Sequence, residues 1–313
     1  GRNFANKLWN ATRFALRRLD GAPQAAEPVS LGDTRFVDRW IIARLGETID
    51  TIESAIDRYQ FNVVADTLYD FVWHDVCDRY LEAVKPTVDD DPHQQVVLGA
   101  VLDAVLRLMH PVCPFVTEAL WPHVSAARCG DIAGVELDPA ALLAVAPWPV
   151  VDDALMDDAV LKDFGRALSL VGMVRTLRSE HDVKPRQQVT LHTTDAVSAL
   201  ATKADGVVQT LAGVGAVESL DGGRPAVASP LAFEGSEVLV SGLVDAVDVE
   251  TERARLDKVV EAKTKQINGF EGKLANPGYV NNAKPELVQE TRQLLAAALA
   301  DRDAAKAALD ALS

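Results

Sequence analysis

The residues with the greatest potential for chemistry are six scattered histidines and three well-separated cysteines. The densest group is His74-Asp75 followed by Cys77-Asp78, which has the residue types of a metal site. On a helix these four side chains point to most of the circumference, so the spacing favours solvated acids and a buried cysteine. No phosphate-binding glycine loop, dinucleotide fingerprint, HExxH or GxSxG sequence occurs. The sequence therefore predicts no catalytic residue, no metal and no cofactor in this chain.

A different kind of chemistry is available on the first predicted helix, residues 2–19. Lys7 and Phe14 are seven residues apart and therefore lie on one face of that helix. An ammonium group can bind a phosphate or a base edge, and an aromatic ring can stack on an unpaired base. The alternative is that Phe14 packs in the core and that Lys7 is merely solvated. The secondary candidates on this helix are Asn10, Arg13 and Arg17.

Charge is distributed unevenly along an acidic chain. The formal net charge of −15 argues against indiscriminate binding of nucleic acid. Residues 1–19 nevertheless carry five basic side chains and no acidic one, and residues 253–273 carry six basic against three acidic. Two basic segments on an acidic body indicate specific anionic docking surfaces, although a charge run is more often a solvated helix face.

Composition indicates the compartment. The 313 residues are 48% hydrophobic and 25% charged, which is typical of a soluble globular protein. No run of eighteen apolar residues occurs, and residues 1–7 lack the basic-then-apolar layout of a signal peptide. Three cysteines without a CxxC pair indicate a reducing compartment rather than a disulfide framework. We therefore expect a cytoplasmic monomer that makes no membrane contact.

Hydrophobic periodicity predicts a mainly α chain in three parts. These are a helix bundle over residues 1–150, a small α/β domain over residues 151–245 and an antiparallel coiled-coil hairpin over residues 246–313. Five amphipathic helices joined by short links predict the bundle. They cover residues 2–19, 36–56, 65–84 and 97–110, and a segment that begins near Pro114.

The predicted α/β domain follows a change of pattern after Pro149. Two helices are expected, at residues 157–180 and, in an Ala-rich segment, at residues 195–212. Four short β-like runs are residues 189–192, 214–220, 225–231 and 237–241. The pair Gly222-Gly223 is predicted to form a hairpin turn between strands.

The C-terminal part has the clearest structural pattern. Its residues recur at alternating spacings of four and three in two segments, which is the heptad pattern of a coiled coil. The first seam is Leu256, Val260, Lys263, Ile267, Phe270 and Leu274. The second seam is Val288, Thr291, Leu295, Ala298, Arg302, Ala305, Leu309 and Leu312. Asn276-Pro277-Gly278 lies between the seams, so the two helices are predicted to fold back on each other.

Several segments resemble the C-terminal part of bacterial valyl-tRNA synthetases, a family of class I aminoacyl-tRNA synthetases. Segments similar to the anticodon-binding bundle are residues 2–14 (RNFANKLWNATRF), 38–41, 68–73, 77–82 and 110–121 (HPVCPFVTEALW). The isoleucyl and leucyl enzymes share these segments. The tail, from residue 243 through residues 273–280 (KLANPGYV), is similar to the C-terminal arm of the valyl enzymes. The cysteine-rich zinc tail of the isoleucyl enzymes is missing from the sequence.

The resemblance implies that the bundle binds the anticodon and that the arm binds the corner of the tRNA. The implied anticodon-binding residues are Lys7, Phe14, Asn10, Arg13, Arg17 and Leu81. Without the resemblance, Leu81 is simply expected in the bundle core. The implied corner-binding residues are Arg255, Lys258, Lys263, Lys265, Lys273 and Arg292.

The resemblance also implies a reaction for the parent enzyme. That enzyme would use ATP and Mg²⁺ to attach valine to tRNA-Val, with its catalytic domain in the same polypeptide. The HIGH and KMSKS signatures of that domain do not occur here, and neither does its editing domain. The implied partners of this chain are therefore tRNA-Val and the parent catalytic domain, and no catalytic step falls within it.

Two alternatives remain open at this point. One is the equivalent part of an isoleucyl or leucyl enzyme, which would share the bundle but should lack the hairpin. The other is a protein-interaction module in which the hairpin docks another protein and the bundle is a scaffold. The acidic net charge favours that module slightly, whereas the basic first helix disfavours it.

Overall fold

A computed structural model describes residues 2–225, 227–243 and 249–311 of the chain. The chain divides into two compact units, Gly1–Ala167 with Lys203–Leu211 and Leu168–Thr202 with Ala212–Ser313. The predicted fold class is confirmed, because the structure is mainly helical with one small mixed sheet and a C-terminal helical hairpin. Within the described ranges, no helix combines the length and apolarity needed to span a membrane.

The first unit is a helix bundle around a central helix. Its helices are α1 (Arg2–Leu19), α2 (Phe36–Asp57), α3 (Phe61–Tyr69), α4 (Leu81–Val84), α5 (Pro92–Met109) and α6 (Pro114–Ala127). Asp91 caps α5 by accepting a hydrogen bond from the Gln94 amide (3.1 Å), and Pro92 stands in the first turn, where no amide donor is needed. Every residue from Gln94 to Met109 is buried, so α5 forms the centre of the core.

A π-helix, Asp70–Tyr80, connects α3 to α4. It is a departure from the sequence-based prediction of one α-helix at residues 65–84. Each amide of a π-helix bonds to the fifth residue before it, so its turns are wider than α-helical turns. Inside it, the buried Asp75 carboxylate accepts hydrogen bonds from Arg44 of α2 (Nε 3.1 Å) and from Arg79 (2.5 Å). Over a segment of 11 residues, the spacing of apolar side chains does not distinguish a π-helix from an α-helix.

A buried arginine attaches the segment after α6 to the bundle. The Nε of Arg107 lies 2.5 Å from Asp103 Oδ1, and both side chains are almost fully buried. Its two terminal nitrogens donate to the carbonyls of Pro147 (2.8 Å) and Asp138 (2.7 Å). The attached segment contains a two-stranded antiparallel pair, β1 (Val135–Glu136) and β2 (Val150–Val151). Each guanidinium nitrogen has a partner, so removal of this arginine would take a hydrogen bond from a buried carboxylate and from two backbone carbonyls.

The helix α7 (Asp158–Glu180) begins in the first unit and ends in the second. The second unit contains a four-stranded sheet in the order β4-β3-β6-β5. The strands β3 and β4 are parallel, and the other two pairs are antiparallel. The strands are β3 (Val189–Thr193), β4 (Val214–Ser219), β5 (Ser229–Phe233) and β6 (Ser236–Ser241).

Two sequence-based details of this region are wrong. The predicted hairpin turn at Gly222-Gly223 joins no hairpin, because β4 pairs with β3 while β5 pairs with β6. The turn between β5 and β6 is Glu234-Gly235, where both residues have positive φ (50° and 78°). The predicted helix at residues 195–212 is two helices, α8 (Asp195–Lys203) and α9 (Val207–Ala212). They are separated by Asp205-Gly206, whose left-handed backbone ends an α-helix.

The C-terminal part is a hairpin of two long helices. These are α10 (Val249–Ala275) and α12 (Pro285–Ala311), which pack on each other and are joined through the short α11 (Pro277–Asn282). The predicted seam is confirmed, because its described members are buried or half-buried. The fully buried members are Leu256, Ile267, Val288, Thr291, Ala298 and Ala305. The last predicted member, Leu312, lies outside the described residues.

Candidate nucleic-acid interface

One side of α1 packs into the bundle and the other side is open. Its buried residues are Leu8, Thr12, Ala15 and Leu19. On the opposite side, Asn10, Arg13 and Arg17 are exposed, and Lys7 and Phe14 are half-buried at the edge. We call these last five residues the α1 strip. The helix thus presents cations, an amide and an aromatic ring on one surface, as its sequence spacing predicts.

Lys7 occupies the edge of the α1 strip that meets the π-helix. Its Nζ atom lies 2.5 Å from Asp78 Oδ1 and 3.7 Å from the centroid of the Trp73 ring. The other carboxylate oxygen of Asp78 lies 3.3 Å from Nδ1 of His74. The ammonium group is therefore held in place by one carboxylate and one aromatic face.

The Trp73 ring that contacts this cation belongs to an aromatic cluster. The rings of Tyr69 and Trp73 are stacked with centroids 5.4 Å apart, and Phe4 lies within 5.7 Å of Tyr69 and 6.2 Å of Trp73. Tyr69 is 42% exposed, so the cluster offers an aromatic surface to solvent. Sequence reasoning did not single out Tyr69 and Trp73 as site residues. The available signal was their place in the segment 68–73, which carries part of the family resemblance.

Phe14 lies further along the same edge, and two cations lie near its ring. The guanidinium carbon of Arg18 is 5.2 Å from its ring centroid, and Nζ of Lys85 is 5.6 Å away. Both cations also have acidic partners, since Arg18 pairs with Asp89 and Lys85 pairs with Glu82. The ring is half-buried, so it is neither a core residue nor fully free.

The remaining side of the α1 strip borders a cleft beside α6. Arg13 and Arg17 line this cleft of about 580 Å³ together with His123 of α6. Within the described part of the chain, neither arginine forms an ion pair or a hydrogen bond with a side chain. Two exposed guanidinium groups one helical turn apart are well placed to bind phosphates.

The residues that resemble a metal cluster in the sequence do not converge. Asp75 and Cys77 are buried, whereas the side chains of His74 and Asp78 are about half exposed. Burial raises the pKa of the Cys77 thiol to about 11, so it stays protonated at neutral pH. Among the described residues, no group of three or more His, Cys, Asp or Glu side chains could hold a metal ion. Leu81 is also buried, at 4% exposure, so its side chain contacts the bundle.

The basic candidates of the arm fall into two groups. Arg255 lies 3.4 Å from Glu180, and Lys263 lies 2.6 Å from Asp301 across the seam between α10 and α12. These two cations therefore already have acidic partners within the second unit. The exposed candidates are Lys258, Lys265, Lys273 and Arg292.

Comparisons with known protein families match two stretches of the chain. Residues 38–193 match the family model of the anticodon-binding domain of tRNA ligases, and residues 248–313 match that of the valyl-tRNA synthetase tRNA-binding arm. The valine–tRNA ligase of Thermotoga maritima is 34% identical over 296 residues, which are 94% of this chain and 32% of the relative. That of Rhodopirellula baltica is 35% identical over 307 residues, 94% of this chain and 29% of the relative. The chain therefore spans about a third of the length of these relatives.

Proposed function

We propose that this chain, which belongs to the valyl-tRNA synthetase family, binds tRNA-Val on behalf of a larger enzyme. The catalytic part of that enzyme would lie outside the third of the relatives' length that this chain matches. That enzyme would form valyl-adenylate from valine and ATP with Mg²⁺, and would then transfer the valyl group to the tRNA. Binding energy gained far from the reacting atoms positions the acceptor end for transfer. This chain contributes the binding and the parent catalytic domain contributes the chemistry.

The α1 strip is the proposed anticodon-binding surface. The observation that carries this proposal is the combination of Lys7, Phe14 and the exposed Tyr69 with the exposed guanidinium groups of Arg13 and Arg17. Unpaired anticodon bases can stack on aromatic rings while cations bind the backbone phosphates. Asn10 can add a hydrogen bond to a base or a ribose, since its amide both donates and accepts. Leu81 would support this surface from within the bundle.

The arm is the segment proposed to bind the corner of the tRNA. Its exposed cations would contact phosphate and ribose groups, which carry no sequence information. Arg255 and Lys263 would act there mainly by holding the helices in place, because each has an acidic partner. Contacts of this kind weaken as salt rises, because binding releases counterions from the RNA.

Three statements remain predictions from the sequence. They are the division at residues 150 and 245, the monomeric state and the cytoplasmic location. We interpret the small α/β domain as a spacer that sets the angle of the arm.

A binding titration tests the proposal. The chain would be titrated with tRNA-Val and with the same tRNA carrying an altered anticodon, at about 50 and 200 mM salt. Tighter binding of the unaltered tRNA, with weakening at the higher salt, is the expected result. Equal and weak binding of both would leave only electrostatic docking by the arm. The control RNAs are isoleucine and leucine tRNAs, which should bind less well than tRNA-Val. No binding of any tRNA would favour the protein-interaction module instead.

A further inference from the structure

We propose that one end of the helix bundle is the docking surface for the catalytic part of the parent enzyme. This inference rests on the proposed function, because it requires that the chain belongs to a larger polypeptide. The surface, which we call the apolar end, consists of large hydrophobic side chains that are exposed at one end of the first unit. They are Tyr59, Phe61, Val112, Phe115, Leu142 and Val145.

The directions of the helices place these residues at the same end of the bundle. Nε2 of Gln94 donates to Asp38 (3.1 Å), so α2 and α5 begin together and, packed on each other, end on the same side. Nε2 of Gln95 donates to the carbonyl of Arg18 (3.3 Å), so α1 ends where α5 begins. The turn between α2 and α3, the turn between α5 and α6 and the beginning of α1 therefore lie at one end.

The start of α6 carries a large share of the apolar end. Phe115 is 91% exposed in the first turn of this helix. One turn further on, the Glu118 carboxylate accepts hydrogen bonds from the backbone amides of residues 143 and 144 (3.1 and 3.2 Å). These bonds hold the exposed Leu142 and Val145 beside the start of α6. Several large apolar side chains thus stay in water at one place, which is typical of an interaction surface.

Tyr59 ends α2 at a cost to local stability. Its φ of 57° is in the left-handed region, at the position after a helix where glycine is usual. The side chain is 80% exposed, and its ring meets the edge of the exposed Phe61 ring with centroids 6.4 Å apart. Folding of the bundle gains little from two rings in water, so contact with a partner explains them better.

The opposite end of the bundle has a different character. Its connections bury Leu31 and Val88, and they expose Asp20 and Asp90. The two ends are built from the same kind of helix connection, so helix connections do not in themselves require exposed aromatic rings. The exposed apolar side chains therefore mark the first end as the surface that docks a partner.

The catalytic part of the same polypeptide is the partner that fits this surface. The chain spans about a third of the length of its relatives, so the proposed enzyme has a large further part that needs an interface. A catalytic part joined to residue 1 would lie at the apolar end without a long linker, because α1 begins there. RNA fits less well, since residues 110–118 and 141–146 contain no lysine or arginine to bind phosphates.

Oxidative footprinting with hydroxyl radicals tests this inference on the chain and on the full-length enzyme, both without tRNA. We expect oxidation of Tyr59 and Phe115 to be about fivefold lower in the full-length enzyme, because the centre of an interface is packed as densely as a protein interior. Tyr69 is the internal control, since the proposed RNA surface has to stay open, and its oxidation should not change. Equal oxidation of Tyr59 and Phe115 in the two proteins would overturn the inference.

Two other occupants give different footprints. Protection that appears in the chain alone as its concentration rises would assign the apolar end to a second copy of the chain. Protection that appears only when tRNA-Val is added would assign it to RNA. Either result would overturn the inference. Because the footprint needs no tRNA, a failure of the chain to bind tRNA-Val would count separately, against the proposed function.

A pair of variants tests the same surface through activity. Phe115→Asp should lower kcat/KM for aminoacylation of tRNA-Val by the full-length enzyme about tenfold, because a charge at the interface disturbs the docking of the catalytic part. The affinity of the separate chain for tRNA-Val and its helical content should stay the same. Val227→Asp is the matched control, since it places the same charge on an exposed apolar residue of the second unit. Equal activities of the two variants would contradict the inference.

Discussion

The carboxyl group of Asp38 is fully buried in the bundle and should make the stability of the first unit depend on pH. It accepts hydrogen bonds from the Tyr80 hydroxyl (Oδ1, 2.9 Å) and from Nε2 of Gln94 (Oδ2, 3.1 Å). Burial raises its pKa from 3.8 to about 7, even though both hydrogen bonds favour the charged form and lower it. Within the folded unit this acid therefore keeps its proton well above the ordinary range of a carboxyl group.

The direction of this pH dependence follows from the pKa of Asp38 in the unfolded chain and its pKa in the folded chain. Between pH 3.8 and about 7 the folded chain retains a proton that the unfolded chain has released. The contribution of Asp38 to stability is therefore fully present below the lower value and is lost as pH rises through the upper one. The complete loss corresponds to about 4 kcal/mol, since each unit of pKa is worth about 1.4 kcal/mol. Between about pH 5.5 and pH 8 the loss is about 2 kcal/mol.

Asp38→Asn removes this loss because an amide does not ionise. The free energy of unfolding would be measured in urea for both proteins at about pH 5.5 and pH 8. All five tryptophans lie in the first unit, so their fluorescence reports its unfolding. We expect the stability of the variant relative to the unsubstituted chain to rise by about 2 kcal/mol between the two pH values.

Taking the difference between the two proteins cancels the other ionisable groups, including Asp163, whose pKa is lowered by its hydrogen bond with Lys203. Tyr80→Phe gives a second check, because loss of its hydrogen bond should raise the pKa of Asp38 further and move the pH dependence upward. A difference between the chain and Asp38→Asn that stays constant with pH would refute the reasoning.

Three further predictions concern the RNA surface, the arm and the core. Lys7→Ala and Phe14→Ala should each weaken tRNA binding by about 1–3 kcal/mol without changing the helical content, and unchanged affinities in a filter-binding assay would contradict the proposed site. Lys265→Ala, at an exposed position of α10, should reduce the slope of log affinity against log salt by about 1 while the melting temperature stays constant. An unchanged slope would remove this residue from the interface. Arg107→Met should destabilise the first unit by about 3–5 kcal/mol in urea unfolding, because it leaves the buried Asp103 without its closest partner. A loss below about 1 kcal/mol would show that this pair is dispensable.

The seam of the arm could be predicted from the sequence because it depends only on local spacing. Heptad positions determine which side chains face the partner helix, and the Pro-Gly turn determines that the partner is the same chain. Buried Leu256 and Ile267 on α10 and Ala298 on α12 follow directly from that pattern. The bundle helices were predictable for the same reason, apart from the π-helix.

The candidate site was predictable on α1 alone. Lys7 and Phe14 share a face because of helical geometry, which the sequence specifies. Their neighbours Trp73, Asp78 and Lys85 come from a segment about seventy residues later, so their positions depend on tertiary packing. The prediction of strand pairing was wrong for the same reason, since a pair of glycines indicates a turn but does not indicate which strands pair. The missing information was in each case a contact between distant segments.

The acids on the π-helix and beyond it change how the basic helix should be interpreted. Three cations along its edge have acidic partners, since Lys7 pairs with Asp78, Arg18 with Asp89 and Lys85 with Glu82. In the proposed complex, net attraction for RNA phosphates would therefore be concentrated on the exposed Arg13 and Arg17, whereas the paired cations would keep directional donors beside aromatic rings. Because phosphate contacts determine salt dependence and base contacts determine sequence preference, the two sides of one helix would control different properties of the same complex.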